Sequence, residues 1–575
     1  MAIDPRVTRA LLCGAALLLL VFFAGAIAIA ILVDSGNDHY HHSGSDGQWL
    51  WPRSIEGYGV RGDDLGATDA PMRRLSSLAP GLSTDETSVF YPSTRVPPPR
   101  ELSNNFSAST GNASGPCDGE ATSDCHVNTL VMSWWQFYDH DVALTSSSGE
   151  SMNIVVNESG TNKTVPFTRA AYVYSNEGAT PPRRQPVDST TPFLDASHVY
   201  GSDEERARAL RTFRDGELKM LGSLLPLNGG EAEEVANDAD PSISDPHAFY
   251  FAGDTRSNEQ RILLSLHTLV VREHNRIARA IVSNDLVPRA TDVAIFDEHV
   301  YQLARAAVIG QLQRIHYCEA APALLGSQLS LSFDACDDDD SNDPRYDPTH
   351  ADPRMPVTLN VLLRNMHSMI PSVLAGTNIT EQFFRPSALA LLGSDPLATV
   401  FNVSFNEATC RIDPHFVDAI RNMLFGTMCE DLFARNVQRA RDVGAPYYND
   451  ARVAYSLAPR TDFTSIPELE SVYGGNLSNV EVFPASLAEP HPSGSCVGEL
   501  TATAINHFLD ESARADPFFF TNANMLAPGD DDDDAYAFVK SIVRHGTMRR
   551  LIVRNTALTE SDVPADVWHV NGGAI

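Results

Sequence analysis

The sequence predicts a mainly α-helical protein: one large helical domain with little β structure, preceded by a single transmembrane helix. Three observations carry that prediction. Apolar residues recur at three-to-four spacing over long stretches, Val-rich alternating runs are scarce, and residues Ala10 to Val33 are uncharged and almost wholly apolar. Alternation would mark half-buried strands, whereas the three-to-four recurrence puts apolar side chains on one face of a helix.

The elements follow in chain order. Residues 1–9 read as a short cytoplasmic tail. Residues 10–33 are long enough to cross a bilayer as one helix. Arg6 and Arg9 precede that span, while Asp34 and Asp38 follow it. The positive-inside bias therefore keeps the N-terminus cytoplasmic and makes the chain a type II membrane protein. Secretion after signal cleavage is the other reading, because Ala26, Ala28 and Ala30 offer small-residue cleavage sites. The apolar run exceeds a usual signal h-region and favours an uncleaved anchor. Residues 34–80 are polar and rich in Gly, Ser and Asp, which reads as a stalk. His39, His41 and His42 lie in that polar tract.

The body is expected over 81–575, after Pro92 and Pro97 to Pro99 break any regular element. Leu263, Leu266, Val270, Ile277 and Ile281 predict one helix, with Ser257 to Gln260 as a capping box opening it. Val300, Leu303, Ala307, Leu312 and Ile315 predict a second. No internal repeat is found.

Composition restricts function. A net charge of −32 excludes nucleic acid as a partner, since its phosphates would be repelled. The runs Asp337 to Asp340 and Asp530 to Asp534 read as solvated loops. Asn105, Asn112, Asn157, Asn162, Asn378, Asn402 and Asn476 each begin an Asn-X-Ser/Thr triplet, in keeping with export and glycosylation. Seven cysteines lie beyond the apolar span, an odd number, and Cys117 with Cys125 is the expected local disulfide. No Cys-X-X-Cys spacing supports a structural zinc or a redox dithiol.

The segment Trp135-Gln136-Phe137-Tyr138-Asp139-His140-Asp141 places a histidine between two carboxylates in an aromatic helical run. Burying such groups is costly unless each has a partner, a cofactor or a metal, so the segment points to a site. Four further segments need the same explanation: Thr191 to Ser197, Asp254 to Glu259, Arg364 to His367 and Asn436 to Arg441. Read in order as WWQFYDHD, TPFLDASHVYGS, AGDTRSNEQ, RNMHSMIP and NVQRARD, they resemble the animal-type haem peroxidases, the superfamily of myeloperoxidase, thyroid peroxidase and peroxidasin. LHTLVVREHNRIA and YQLARAAVIGQLQ agree with that resemblance, which covers roughly residues 80 to 575.

The resemblance implies haem b and calcium as cofactors, and hydrogen peroxide with a halide, phenolic or protein-tyrosine donor as reactants. It makes His140 the distal acid–base, Arg256 the fixed cation and Gln136 a distal-pocket amide. Imidazole titrates near neutral pH and suits proton transfer, while a cation lowers the cost of charge on the departing oxygen. His367 corresponds to the proximal iron ligand, with Asn436 accepting its other ring N–H. Arg364 and Arg439 match arginines near the haem propionates. Asp139 and Glu259 match carboxylates that form haem esters; Gln260 stands where a sulfonium-forming methionine would follow, so a third link is not expected. Asp141, Thr191, the Phe193 carbonyl, Asp195 and Ser197 match an all-oxygen calcium site.

Trp135 departs from the family's usual glycine, Asn365 and Met366 from its aromatic-glycine pair, and Val443 from a frequent histidine. Two rival functions remain. A fatty-acid dioxygenase of the same superfamily would need a tyrosine where Arg364 stands. A non-catalytic adhesion or matrix module would not need His140, Arg256, His367 and Asn436 together.

Overall fold

The computed structural model describes residues 54–56, 64–75, 96–108, 115–158, 161–175, 183–229, 236–238, 246–289, 292–333, 336, 345–423, 430–522 and 534–572. They belong to one compact unit, Arg53–Ile575. The predicted anchor over residues 10–33 lies outside the described residues, as do the His39–His42 tract and Asp337 to Asp340. Among the described residues no helix is long and apolar enough to cross a membrane.

Helices carry the body, as expected. Eight matter for the site and are numbered here: α1 (Thr129–Val142), α2 (Arg261–Ser283), α3 (Val293–Ile315), α4 (Val357–Leu362), α5 (Leu432–Asp442), α6 (Glu499–Ala515), α7 (Asp534–Arg544) and α8 (Met548–Asn555). Helix α1 opens on Asn128, whose side chain accepts from the Leu130 N–H at 3.1 Å. It is apolar nearly all round and correspondingly almost wholly buried. The predicted stripe of α2 is buried throughout, Leu263, Leu266, Ile277 and Ile281 completely so. That of α3 is buried too, and Asp292 caps it through the Ala294 N–H at 2.9 Å. Helix α2 packs against α1, α3 and α8, while α3 also packs against α7. Fully burying one Leu or Ile is worth about 1.5–3 kcal/mol, so these two stripes account for much of the core's cohesion.

The strands are short and few. Ala70–Pro71, Arg183–Asp188 and Tyr172–Ser175 form an antiparallel three-stranded sheet with Arg183–Asp188 in the centre. Among the described residues three two-stranded ribbons complete the β structure, the longest pairing Ile154–Glu158 with Thr161–Val165.

Three expectations are corrected. The cap of α2 is Gln260, not Ser257: its Oε1 accepts from the Ile262 N–H at 2.6 Å, and Ser257 sits in the preceding turn. The stalk ends earlier than residue 80. Ala70 and Pro71 pair with Asp188 and Val187, Arg73 Nη1 donates to the Asp352 carbonyl at 2.7 Å, and Ala67 and Met72 are buried, so backbone pairing and a few apolar anchors hold this largely polar stretch. Cys117 and Cys125 do not bond to each other. The disulfides are Cys117–Cys410, Cys125–Cys496 and Cys318–Cys336. Nearness in sequence misled because the segment before α1 runs between two distant parts of the chain: Ser123 N–H donates to the Thr409 carbonyl and Asn128 N–H to that of Trp568. The seventh cysteine, Cys429, lies outside the described residues.

Four predicted glycan acceptors, Asn105, Asn378, Asn402 and Asn476, are exposed.

Candidate active site

Helix α1 fixes the first half of the site. Gln136 and His140 are one turn apart and Asp139 adjoins them, so the three project from neighbouring positions of one rigid element. The turn leading into α2 supplies the second half, Asp254, Arg256 and Glu259. Arg256 is held from below by Asp254, its Nε donating to Oδ1 at 3.0 Å and its Nη2 to Oδ2 at 2.8 Å. The same Nη2 lies 3.3 Å from the His140 carbonyl, and Nη1 is 3.8 Å from Asp139 Oδ2. This fork-to-carboxylate pairing fixes the guanidinium plane.

Asp254 was missed by the sequence reading, although it lies in the Asp-X-Arg segment that was singled out. Its Oδ1 is also 3.6 Å from His140 Nδ1. That ring nitrogen is buried and makes no hydrogen bond, which leaves Nε2 as the nitrogen open to the interior space. Burial, with Arg256 beside it, pushes His140 well below the usual histidine range, so the ring is neutral and can accept a proton. Burial opposes ionisation of Asp254, but the Arg256 cation outweighs it and holds the carboxyl well below the usual range. Arg256 responds in kind: burial disfavours its charge, Asp254 restores it, and its pKa rises.

Glu259 accepts a short hydrogen bond from Gln136 Nε2 at 2.5 Å, and Gln136 Oε1 in turn accepts from Gln260 Nε2 at 3.2 Å. Burial raises both acids, Asp139 above its ordinary value and Glu259 up to about 8.

The proximal half comes from the 3₁₀ turn Leu363–Met369 that continues α4. Asn365, one of the departures noted above, holds this turn: its Nδ2 donates to Ser486 Oγ at 3.0 Å and Thr501 Oγ1 at 3.1 Å. Ser368 Oγ adds bonds to the Arg411 and Asp413 carbonyls. His367 Nδ1 lies 2.8 Å from Asn436 Nδ2 on α5. The amide has the same shape with O and N exchanged, and the orientation that lets Nδ1–H donate to Oδ1 is the one that frees Nε2 as a ligand. Burial and Arg364 push the pKa of His367 down to about 3, so its imidazole is neutral as ligation requires.

Arg364 and Arg439 differ. Arg439 is engaged by Asp442 Oδ2 at 2.8 Å and the Thr168 carbonyl at 3.1 Å. Arg364 has no carboxylate within ion-pair distance among the described residues, and its Nε is buried without a hydrogen bond. Burial and nearby Arg439 push its pKa down to about 10. It feels Asp139, Arg256 and Glu259, so side chains from three separate segments share one interior space. Gln136, Asp139, Arg256, Glu259, Arg364 and His367 are all partly accessible although the segments around them are buried, as residues lining an internal cleft must be. A buried arginine lacking an anion and a neutral histidine with a free Nε2 are what a propionate-bearing, iron-centred planar group requires. The residues present fit haem.

The oxygen cluster also assembles. Ser197 Oγ donates to Asp141 Oδ1 at 2.8 Å, Asp141 Oδ2 accepts from the Ala196 N–H at 3.0 Å, and Thr191 Oγ1 donates to Asp195 Oδ2 at 2.9 Å. The Phe193 carbonyl accepts from the Asp195 N–H at 2.9 Å within the same turn. Both carboxylates are fully buried. Asp141 has His198 Nδ1 at 2.9 Å but no arginine or lysine within ion-pair distance among the described residues. Two buried carboxylates with hydroxyl and carbonyl oxygens fit a hard divalent cation.

The family model for the animal haem peroxidase domain matches residues 56–568. Peroxinectin A of Dictyostelium discoideum is 29% identical over 435 residues, covering 70% of this chain and 78% of its own. The chain spans less than half the length of three other curated relatives, chorion peroxidases of Aedes aegypti and Drosophila melanogaster and dual oxidase 1 of Caenorhabditis elegans. Among solved structures, peroxidase A from Dictyostelium discoideum superposes with a TM-score of 0.75 at 24% identity, covering 90% of this chain and 99% of that one. An Oryza sativa fatty acid alpha-dioxygenase shares the fold with a TM-score of 0.71 at 19% identity, covering 91% of this chain and 87% of that one.

Proposed function

This chain belongs to the animal haem peroxidase family, and on that premise we propose that it is an extracytoplasmic peroxidase that reduces hydrogen peroxide and oxidises a halide, a phenol or a protein tyrosine. A bound haem would supply a ferric iron able to take up the oxidising equivalents of peroxide. The rest is the work of the chain. His367 would hold the iron through Nε2, and Asn436 would accept its Nδ1–H, making the ring a stronger donor. Arg364 would pair with a propionate, with Arg439 lending positive potential from beside it. Neutral His140 takes the proton from one peroxide oxygen at Nε2 and returns it to the other as the O–O bond breaks. Arg256, locked by Asp254, offsets the charge developing on the leaving oxygen. Gln136 positions Glu259, which with Asp139 would hold the haem through two ester links; each would replace a methyl C–H by a C–O bond, a two-electron oxidation for which hydrogen peroxide is the oxidant.

Calcium is assigned to Asp141, Thr191, the Phe193 carbonyl, Asp195 and Ser197. Because Asp141 directly follows His140, a bound cation would fix the end of α1 that aims the imidazole. Residues 10–33 are proposed as the signal-anchor, with the catalytic domain beyond the membrane carrying glycans at its exposed acceptors.

The observation that carries this reading is the convergence of a clamped arginine and a neutral histidine with a second neutral histidine hydrogen-bonded to an amide. The dioxygenase reading gains support from the shared fold, but Arg364 occupies the position its tyrosine would need. The test is absorption spectroscopy of the purified protein titrated with hydrogen peroxide. A Soret band that shifts with peroxide and recovers with an added donor is expected. A chain that folds without taking up haem would instead favour the adhesion-module reading.

A further inference from the structure

Behind α1, on the side away from His140, lies a chain of aromatic rings that the site does not use. Tyr138 is two residues before His140, about 160° around the helix, so it faces away from the cleft. Its ring stacks on His316 at 3.8 Å between centroids and 14° between planes. Trp135 meets both Tyr138 at 5.4 Å and His316 at 4.9 Å. Trp134 Nε1–H donates to His316 Nδ1 at 3.2 Å, and the Trp134 ring lies 5.6 Å from that of Trp568. Trp568 lines a surface cavity of about 570 Å³. Indole and phenol are readily oxidised side chains, so Trp568, Trp134, Trp135 and Tyr138, linked through His316, form a path for electrons from the cavity to α1.

The cavity has a charge opposite to the molecule's. Arg314, Arg544, Arg549 and Arg550 line it, against Glu319 and Asp566, in a chain of net charge −32. Asp566 is hydrogen-bonded to His569, 2.7 Å away, and Arg549 has Glu560 at 3.8 Å, so Arg314, Arg544 and Arg550 carry most of the positive potential. An anion repelled by most of this surface is drawn here, and the volume is that of a small-molecule site.

We propose that this cavity is a second donor site, which binds anionic aromatic reductants and passes their electrons inward along Trp568, Trp134, His316 and Tyr138. The proposal rests on the peroxidase reading above. For a phenolic donor, one hydrogen peroxide and two donor molecules give two waters and two phenoxyl radicals. Each donor gives one electron to an oxidised Trp568 and its hydroxyl proton to solvent; the oxidising equivalents originate in the peroxide reduced at the haem. Both indoles have a proton acceptor on their nitrogen. Trp568 Nε1–H donates to Glu319 Oε2 at 3.0 Å, and burial keeps His316 neutral beside Trp134. Trp568 therefore passes its proton to the Glu319 carboxylate on oxidation and recovers it on reduction, while Trp134 keeps its N–H hydrogen-bonded to His316. The remaining interval, from Tyr138 across α1 to the cleft, is roughly one helix diameter, about 10 Å.

The test compares two donors on the holoenzyme: ABTS, a bulky dianionic sulfonate, and guaiacol, a small neutral phenol. Trp568→Phe keeps a ring in place but removes the oxidisable indole, and should lower kcat/KM for ABTS at least about tenfold while guaiacol stays within about twofold. Arg550 is exposed, so Arg550→Glu leaves the fold intact and should raise KM for ABTS with little change in kcat. Freeze-quenched samples mixed with peroxide alone should show an organic radical by electron paramagnetic resonance. Ring-deuterated tryptophan should narrow that signal, and Trp568→Phe should remove the narrowed component. ABTS kinetics unchanged in both variants, or a radical signal insensitive to Trp568, overturns the route while leaving the peroxidase reading standing. A wild-type protein that oxidises neither donor overturns both.

Discussion

At the scale of single residues, the site turns on one carboxylate. Asp254 makes two hydrogen bonds to Arg256 and stands 3.6 Å from His140, so it fixes one and neighbours the other of the two groups proposed to act on peroxide. Asp254→Asn keeps the shape but removes the charge that fixes the guanidinium. The expected outcome is haem binding intact and a peroxide reaction slowed roughly 10- to 100-fold, the usual cost of losing an orienting partner; stopped-flow absorption measures it. His140, Arg256 and His367 could be nominated from the sequence because each sits inside a contiguous motif. Asp254 and Asn365 could not be given roles that way, since their partners, Arg256 and His140 for one and Ser486 and Thr501 for the other, become apparent only in three dimensions. Arg439 illustrates the same limit. Its guanidinium is held by Asp442, which also pairs with Arg169 of a distant segment, a contact seen only in three dimensions.

At the scale of elements, periodicity located α2 and α3 because each buries one long apolar stripe. Leu266→Ala in α2 should cost about 2–5 kcal/mol, read from chemical denaturation, because the side chain is fully buried and the cavity it leaves cannot collapse freely. The start of α2 was misplaced by its capping signal. Ser and Gln three apart mimic a capping box, yet Gln260 itself closes the helix end with its own side-chain oxygen. The loop Thr191–Ser197 is tied to the end of α1 through Asp141 and Ser197. Removing calcium with a chelator should therefore lower the thermal midpoint and slow the reaction with peroxide together, because the same contact supports the fold and aims His140. An unchanged midpoint after chelation would place the cation elsewhere.

At the scale of the whole molecule, the sequence could not assign the covalent framework. Cys117–Cys410 and Cys125–Cys496 close loops of 293 and 371 residues, and no local spacing announces such partners. The stability of the body should also depend on pH in a definite direction. His274 is buried between Tyr200 and the Gly216 carbonyl, and burial pushes its pKa down to about 4; His316 goes down to about 3. The unfolded chain takes up these protons near pH 6.5 and the folded chain refuses them. The stabilisation is complete above the unfolded value and is lost as pH falls from about 6.5 through 4, with His274 alone worth roughly 3 kcal/mol over that interval. Denaturant midpoints measured between pH 7 and 4 should fall accordingly.

The account's central claim is that neutral His140, beside a clamped Arg256, moves the peroxide proton. It is tested most directly by rapid mixing of hydrogen peroxide with wild-type protein and His140→Ala, following the Soret band. The account predicts that both bind haem and that the variant's Soret change is slower by about 10²- to 10⁴-fold. Equal rates in the two proteins would contradict it.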